Sequence, residues 1–541
     1  MSTRVSRILT IICVLGLALT GCQPEIVEVV KEVPVDKIVE VEKVVKVEVE
    51  KVVEKIVEVT AVPEAHGPLK VVLSADPRSL DPTIDTIKTS LVIIFTMVEP
   101  LVKNQPDGSY APWLAESWEL IDPNRWRLHL KEGVQFHNGE AFNADTVAFS
   151  VDTFINTPGE ARGWFSFLKG SEVVDEYTID LITNNPTVSL PPTLAFLFAF
   201  PPEYYAEVGS EGFGENPVGT GPYQFKEWNR GVDLKVEVNP DYWGVMPTVE
   251  EIQFLWAAEA SSRMAMLETG EAHITQKTPP QFISQIENNP DIRIETARSI
   301  RKVFLRLNPN EPPTDNPKVR QALNYAINVE SIILNLFQGH AYGRDTGFIL
   351  PGMECYDPDR LSRYTYDPEK AKQLLAEAGY PDGFEMDFWH TLNDQPLDKE
   401  TSEAIAADLA KVGITVNLIG RESGAFYSKV GTERVSGAIY SASGPLFMTP
   451  LYHPLIEFQA NMPYGHSADD RTDELTQLAL QEFDSEKKCQ ILYDLEDYVM
   501  YEAATWVWLY HFEDVYGVSN QINWKARSDE LLSFETASWA N

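Results

Sequence analysis

Trp126, Leu128 and Leu130 alternate with Arg125, Arg127, His129 and Lys131, the period-two pattern of a strand with one face buried and the other wet. Glu132-Gly133 ends that strand, Val134 and Phe136 carry a second short apolar run, and Asn138-Gly139 supplies the positive-φ pair of a tight turn. Asn143 is placed as a helix cap, with Val147, Val151 and Phe154 at helical spacing behind it. Residues 115–154 therefore predict strand, turn, strand, turn, helix.

The two periods keep exchanging along the chain. Residues 69–73, 234–238 and 251–256 predict strands, and residues 91–98 and 260–269 predict helices, the second closed by Gly270. Val319, Leu323, Ala326 and Ile327 make one apolar helix face after Pro317. Residues 366–380 predict a capped helix ended by Gly379. A helix at 402–411, a strand at 414–419, a helix at 475–500 and a strand at 505–510 complete an α/β pattern.

A chain of 541 residues is too long for one core and predicts two or three compact units at ~150 residues each. The net charge of −37 excludes nucleic acid as a partner, because phosphates demand basic surface. Of four cysteines, Cys13 and Cys22 lie in the leader; Cys355 and Cys489 form one bridge in an oxidising compartment or remain two free buried thiols. A metal site there would need more ligands, and neither metal nor cofactor is expected.

Arg4 and Arg7 precede an apolar run at 8–19, too short to span a membrane but suited to a secretory signal. Leu19-Thr20-Gly21-Cys22 resembles the bacterial lipobox, which implies removal of residues 1–21 and lipidation of Cys22, anchoring the protein to the outer side of a membrane. A plain cleavable signal is the rival. Residues 25–59 are almost entirely Val, Ile, Glu and Lys, and Ile38, Val41, Val45, Val49, Val52, Ile56 and Val59 step by three or four. That seam fits either a stalk-mediated oligomer or a spacer, since β-branched residues suit higher coiled-coil orders but form helices poorly. Residues 61–68 are the linker to the body.

In order and wording, 115–154 closely resembles the first-lobe signature of the family 5 extracytoplasmic solute-binding proteins, the peptide-, dipeptide- and nickel-binding components of ABC importers. Ser79-Leu80-Asp81-Pro82, Gly219-Thr220-Gly221-Pro222-Tyr223, the helix from Pro317 to Asn328 and the segment from Tyr366 to Tyr380 resemble further family motifs in the family's order. The resemblance implies a two-lobe periplasmic-binding-protein-like fold of type II with the ligand cleft between lobes: lobe I at 69–300 with a subdomain inserted at about 111–215, lobe II at 301–500, and a return to lobe I at 501–541. It implies capture of a small-molecule or oligopeptide solute by lobe closure, delivery to ABC permease membrane subunits, and no enzymatic activity.

It also implies where ligand contacts fall. Asp85 and Thr86 would face the cleft, with Asp81 read as a turn cap. Gln276, Lys277 and Thr278 would point in from the segment after Gly270, and Phe304 from the strand that crosses between lobes. Tyr440, Ser441 and Ser443 occupy the region where peptide-binding members carry a Gly-Trp followed by an acidic residue that pairs with the peptide ammonium. Residues 437–446 hold no Asp or Glu, so either another carboxylate such as Asp85 serves or the ligand is a neutral polar solute such as an oligosaccharide. On the returning strand, alternation splits the aromatic residues between core and cleft; Tyr510 and Phe512 are placed nearer the ligand, with core packing as the alternative.

Other chemistries find less support. No GxSxG elbow, HExxH, CxxC pair or Walker loop is present, and the glycines around Thr220 lack the Gly-Lys-Ser/Thr ending of a phosphate loop. The rival from another class is a secreted, lipid-anchored hydrolase using a carboxylate pair, which 81 acidic residues would hide. His137, beside a tight turn, is read as structural, and a metal-complex binder as a weak alternative within the family.

Overall fold

The computed structural model describes residues 66–540 except 107, 189, 277, 344–346, 393, 446, 460, 461, 463, 464 and 466. The leader, Cys22, the low-complexity segment and Lys277 lie outside the described residues.

Two strands much longer than the rest organise the body. Ile292–Leu307 and Trp506–Ser519 run antiparallel at the centre of a mixed sheet. On one side lie Ile274–Thr275, Leu69–Leu73, Glu251–Trp256, Asp233–Val238 and Tyr223–Asn229; on the other lie Ala438–Ser443, Phe384–Thr391 and Ile414–Arg421. The central ladder has two blocks. From Ile292↔Ser519 to Arg298↔Glu513 it is flanked by Ile274–Thr275, and from Lys302↔His511 onward by Ala438–Ser443. Between the blocks the register shifts at residues 298–302 and 511–513, where Ile292–Leu307 gains Ala438–Ser443 as a second neighbour and Trp506–Ser519 pairs with Ala341–Tyr342.

Each side has its own core. Leu69, Ile93, Leu128, Phe200, Ile252 and Val518 belong to the first; Val303, Leu323, Phe388, Ile414 and Tyr440 belong to the second. A further cluster joins Phe304, Leu350, Leu492, Trp506 and Trp508. Burial of these apolar faces, at ~25 cal/mol per Å², is the main stabilising term.

A second shift, between Val303↔Tyr510 and Phe304↔Trp508, leaves Leu509 with no opposite residue. One extra residue reverses the faces of a strand. Trp506 and Trp508 consequently pack with Phe304, whereas Tyr510 and Phe512 join Val507 and Leu509 in the second core. Simple alternation along 505–512, the basis of the sequence expectation, does not survive this bulge.

Local signals account for most helix ends. Asn143 accepts from Thr146 N–H at 3.1 Å while the Thr146 hydroxyl accepts from Asn143 N–H at 3.1 Å, starting Ala144–Asn156 with a capping box. Asn316 and Asp367 cap Pro317–Ala326 and Pro368–Glu377, each with proline in the first turn, and Gly379 at φ 94° follows the second. The predicted helix at 475–500 is two helices, Asp470–Gln481 and Ser485–Asp497. Asp484 accepts from Lys487 N–H at 3.0 Å and restarts the backbone, although the apolar spacing runs on.

In the 115–154 region the second predicted strand reduces to a bridge, Gln135↔Ala141, although Val134 and Phe136 are buried. A four-stranded sheet instead orders Ala115–Asp122, Arg125–Leu130, Thr178–Thr183 and Leu168–Asp175. Ala115–Asp122 is an edge strand exposed on both faces over most of its length, so it shows no alternation to read. Cys355 and Cys489 are joined by a disulfide.

Candidate functional site

The glycine-flanked Thr220 loop meets three aromatic residues of the first core around one carboxylate. Glu99 is buried, and its Oε1 accepts from Trp113 Nε1 at 2.9 Å and Tyr242 OH at 2.8 Å, its Oε2 from Thr220 Oγ1 at 2.8 Å and Trp243 Nε1 at 2.9 Å. Burial pushes this carboxyl up to about 7 against those four donors. The glycines beside Thr220 are needed for close approach: a Cβ on Gly219 would lie 2.1 Å from Met97 O, and one on Gly221 2.7 Å from it. His137 locks the same loop. It accepts from Gly219 N–H at Nδ1 (3.3 Å) and donates from Nε2 to Gly221 O (3.0 Å), and burial lowers it to about 4, so the ring is neutral. This constellation is saturated and holds the fold together.

The loop after Leu73 is similarly self-contained. Asp81 accepts from Thr83 N–H and Oγ1, Tyr205 OH and Ser210 Oγ at 2.6–2.8 Å. Asp85 is fully buried and accepts from Arg78 N–H (3.0 Å), Arg78 Nη2 (3.1 Å), Ile87 N–H (3.1 Å) and Ser90 Oγ (2.7 Å). Burial opposes ionisation of Asp85, but the Ser90 and Arg78 bonds outweigh it and hold the carboxyl below its usual range. With these four donors in place, Asp85 is occupied within its own loop. Half-buried Thr86 donates its hydroxyl to Glu160 Oε2 at 2.8 Å.

A solvent-lined cavity of about 570 Å³ touches both cores beside the register shift of the two long strands. Its floor is Arg301, residues 512–516 and Glu530. One wall, continuing from Ile274–Thr275, includes Arg263, Gln276 and Thr278; the other, continuing from Phe384–Thr391, is residues 394–398 with Glu400. This volume is within the ~300–1,000 Å³ of ordinary ligand sites.

Most charge around it is already paired. Arg301 donates from Nε and Nη2 to the two oxygens of Glu530 at 3.0 and 2.9 Å and from Nη1 to Gln395 Oε1 at 3.3 Å, a link between floor and wall. Glu530 is at φ 61°, a conformation uncommon outside glycine. Asp394 accepts from Ser423 Oγ (2.8 Å) and Tyr427 OH (3.0 Å), and Asp398 from Thr391 Oγ1 (2.7 Å). Glu513 is bound by His340 and by Tyr342 OH.

The expected contact residues divide. Gln276, Thr278 and Phe512 line the cavity. Phe304 is buried and stacks on Trp506 at 3.9 Å between ring centroids. Tyr440 and Tyr510 are buried in the second core with hydroxyls 3.3 Å apart, both pushed upward by burial. Ser441 accepts from Arg306 Nε at 2.8 Å, and Ser443 is half-buried opposite Lys302. Sequence reading missed Arg301, Asp394, Asp398, Asp514 and Glu530, whose only signal was acidic or basic identity in a chain full of both. It also missed Phe447, whose ring meets Trp164 and Phe196 of the first core at 5.7 and 5.4 Å, and Met448, whose carbonyl accepts from Tyr110 OH.

Comparison with known proteins places this architecture. Residues 109–452 match the family described as bacterial extracellular solute-binding proteins, family 5 Middle. Glutathione-binding protein GsiB of Pectobacterium atrosepticum is 30% identical over 85% of this chain and 91% of its own length, and the dipeptide-binding protein of Escherichia coli is 31% identical over 59% of this chain and 64% of its own. The ABC transporter-associated periplasmic binding protein DppA from Helicobacter pylori, in complex with the peptide STSA, superposes with a TM-score of 0.73 at 25% identity, covering 87% of this chain and 98% of that one. Two cores joined by a pair of crossing strands, a cavity at the crossing and this match over most of the chain agree: the chain belongs to the family 5 bacterial extracellular solute-binding proteins and has their type II periplasmic-binding-protein fold.

Proposed function

We propose that the protein captures a peptide-class or similar polar solute between two lobes and delivers it to the membrane subunits of an ABC importer. The observation that carries this reading is a cavity whose walls come from both cores beside the register shift of the crossing strands. A solute that touches both walls does so only when the lobes are closed, so binding shifts the population toward closure. Gln276, Thr278 and Phe512 touch it directly, with Lys277 on the same segment; Tyr440 and Tyr510 back the wall from the second core. The lobes run over 69–300, with the inserted subdomain at about 111–215, and 301–500, with 501–541 returning to the first. Lipidated Cys22 anchors the protein outside the membrane, and residues 22–68 serve as the spacer between lipid and body, with a stalk-mediated oligomer as the alternative.

Small-angle scattering of the purified protein with a mixed tripeptide pool tests closure: compaction without turnover is expected, whereas hydrolysis of the pool would overturn the reading. Cys22→Ser should release the protein from the membrane fraction. Sedimentation that finds the mature protein monomeric with and without residues 23–62 would rule out the stalk oligomer.

A further inference from the structure

The residues facing the cavity are unevenly charged. Asp394, Asp398, Glu400, Glu513, Asp514 and Glu530 supply six carboxylates, while the described lining holds two guanidiniums, Arg263 and Arg301. Both are engaged, Arg301 by Glu530 and Arg263 by the carbonyls of Ala257 and Ala258 at 2.8 and 2.7 Å. Acidity alone would say little in a chain of this composition. The second observation is what the cavity leaves undone: Gln276 Oε1, Thr278 Oγ1 and Asp514 Oδ2 are each shielded from solvent, and none has a hydrogen-bond partner among the described residues. Gln276 and Thr278 are 2% and 6% exposed.

Three orphaned oxygens on one cavity are unusual, because buried polar groups are almost always satisfied and an unmet one costs about 1–3 kcal/mol. All three can accept, and all three residues line the cavity; Thr278 N–H donates to Val515 O at 2.9 Å, which ties the wall segment to the strand that carries Asp514. We infer that Asp514, Gln276 and Thr278 form the specificity-determining end of the cavity and take a protonated amine of the solute, so that the protein selects solutes that carry a free ammonium over those that do not. This rests on the closure reading above and names the chemistry of the solute within it. It also supplies a carboxylate for a solute ammonium in a chain where residues 437–446 have none and Asp85 is bonded within its own loop.

The electrostatics agree. Burial first, and then the Glu530 carboxylate, push the Asp514 carboxyl well above its ordinary range against the opposing pull of Arg301, the Ser299 side chain and Lys88, so the empty cavity disfavours its charge. A docked ammonium shifts that balance toward the carboxylate. Wherever Asp514 is still protonated in the empty cavity, binding of an ammonium should release that proton, whereas a solute with no ammonium releases none.

Calorimetry of the purified protein with four probes separates the cases: trialanine, trilysine, N-acetyl-trialanine and N-acetyl-triglutamate. Trialanine and trilysine are expected to bind at least tenfold tighter than the other two, with a binding heat that depends on the buffer's ionisation enthalpy. Asp514→Asn should remove both the preference and the buffer dependence; Thr278→Val, which keeps side-chain shape and leaves the carboxylate in place, should reduce the preference severalfold. Equal or tighter binding of N-acetyl-trialanine or N-acetyl-triglutamate would overturn the inference while leaving closure intact. Binding of none of the four also overturns it, and scattering with glutathione, a net anion, then decides closure separately.

Discussion

Glu99 and Asp514 are both buried acids in the same body, yet they are treated in opposite ways. Glu99 has four donors on two oxygens, drawn from three separate segments of the first core. Asp514 has a buried oxygen with no partner among the described residues, although Arg301 and Glu530 pair beside it. Burial raises both carboxyls. The difference lies in what the fold aims at them. Packing of one core converges Trp113, Thr220, Tyr242 and Trp243 on Glu99, whereas Asp514 sits where two strands pass from one core to another and no single core can surround it. A saturated carboxylate closes a structure; an unsaturated one on a cavity wall holds bonding capacity in reserve for a molecule outside the chain.

The strongest way to break that comparison is Gly219→Ala. The new Cβ would meet Met97 O at 2.1 Å and push Thr220 away from Glu99, so a loss of about 3–4 kcal/mol is expected in urea unfolding. Glu99→Gln should cost about 2–3 kcal/mol, because an amide nitrogen must then face an indole N–H. An unchanged midpoint would mean that the four donors do not stabilise the fold.

The pH dependence sharpens the same region. Glu99 titrates at about 7 in the folded chain against an ordinary 4.5, so its contribution is full below 4.5 and is lost as pH rises through about 7. His137 titrates at about 4 against an ordinary 6.5, so its contribution is full above 6.5 and is lost as pH falls through about 4. The two slopes oppose each other between 4.5 and 6.5. His137→Gln, which can keep both hydrogen bonds, should leave stability falling steadily with pH across that window. Glu99→Gln should leave it rising, each by about 1–3 kcal/mol in urea midpoints measured from acid to neutral pH.

The smallest expected effect belongs to the cavity. Asp514→Asn should leave the unliganded protein as stable at neutral pH or stabilise it by up to about 1 kcal/mol, since the folded state disfavours the charge it removes. The folded-state value is raised, so the gain should vanish below the ordinary 3.8, where both states are protonated. A large destabilisation would place Asp514 with Glu99 as a structural group.

Several of these features were legible in the sequence for a local reason. The Asn143 cap, the Pro317 and Pro368 starts and the glycine at 379 act through backbone geometry within a few residues. The tight approach at Gly219 and Gly221 was visible as flanking glycines, and the loop at 74–82 as two Asp-Pro turns. Other elements escaped. The exposed edge strand Ala115–Asp122 has no buried face to alternate, and the break after Gln481 is made by a cap that periodicity overrides. Arg301, Gln395 and Glu530 meet across separations of 94 and 229 residues, which no spacing rule spans.

By itself, the sequence determined the elements, the family and the region from which one wall of the cavity comes, because caps, turns and apolar periods are short-range physics written residue by residue. Only the tertiary structure decided which face each aromatic of the returning strand takes, since one unpaired Leu509 reverses the alternation. It also decided which of many acidic residues are spent on the fold and which are left facing a cavity, because hydrogen-bond satisfaction depends on partners brought from distant parts of the chain.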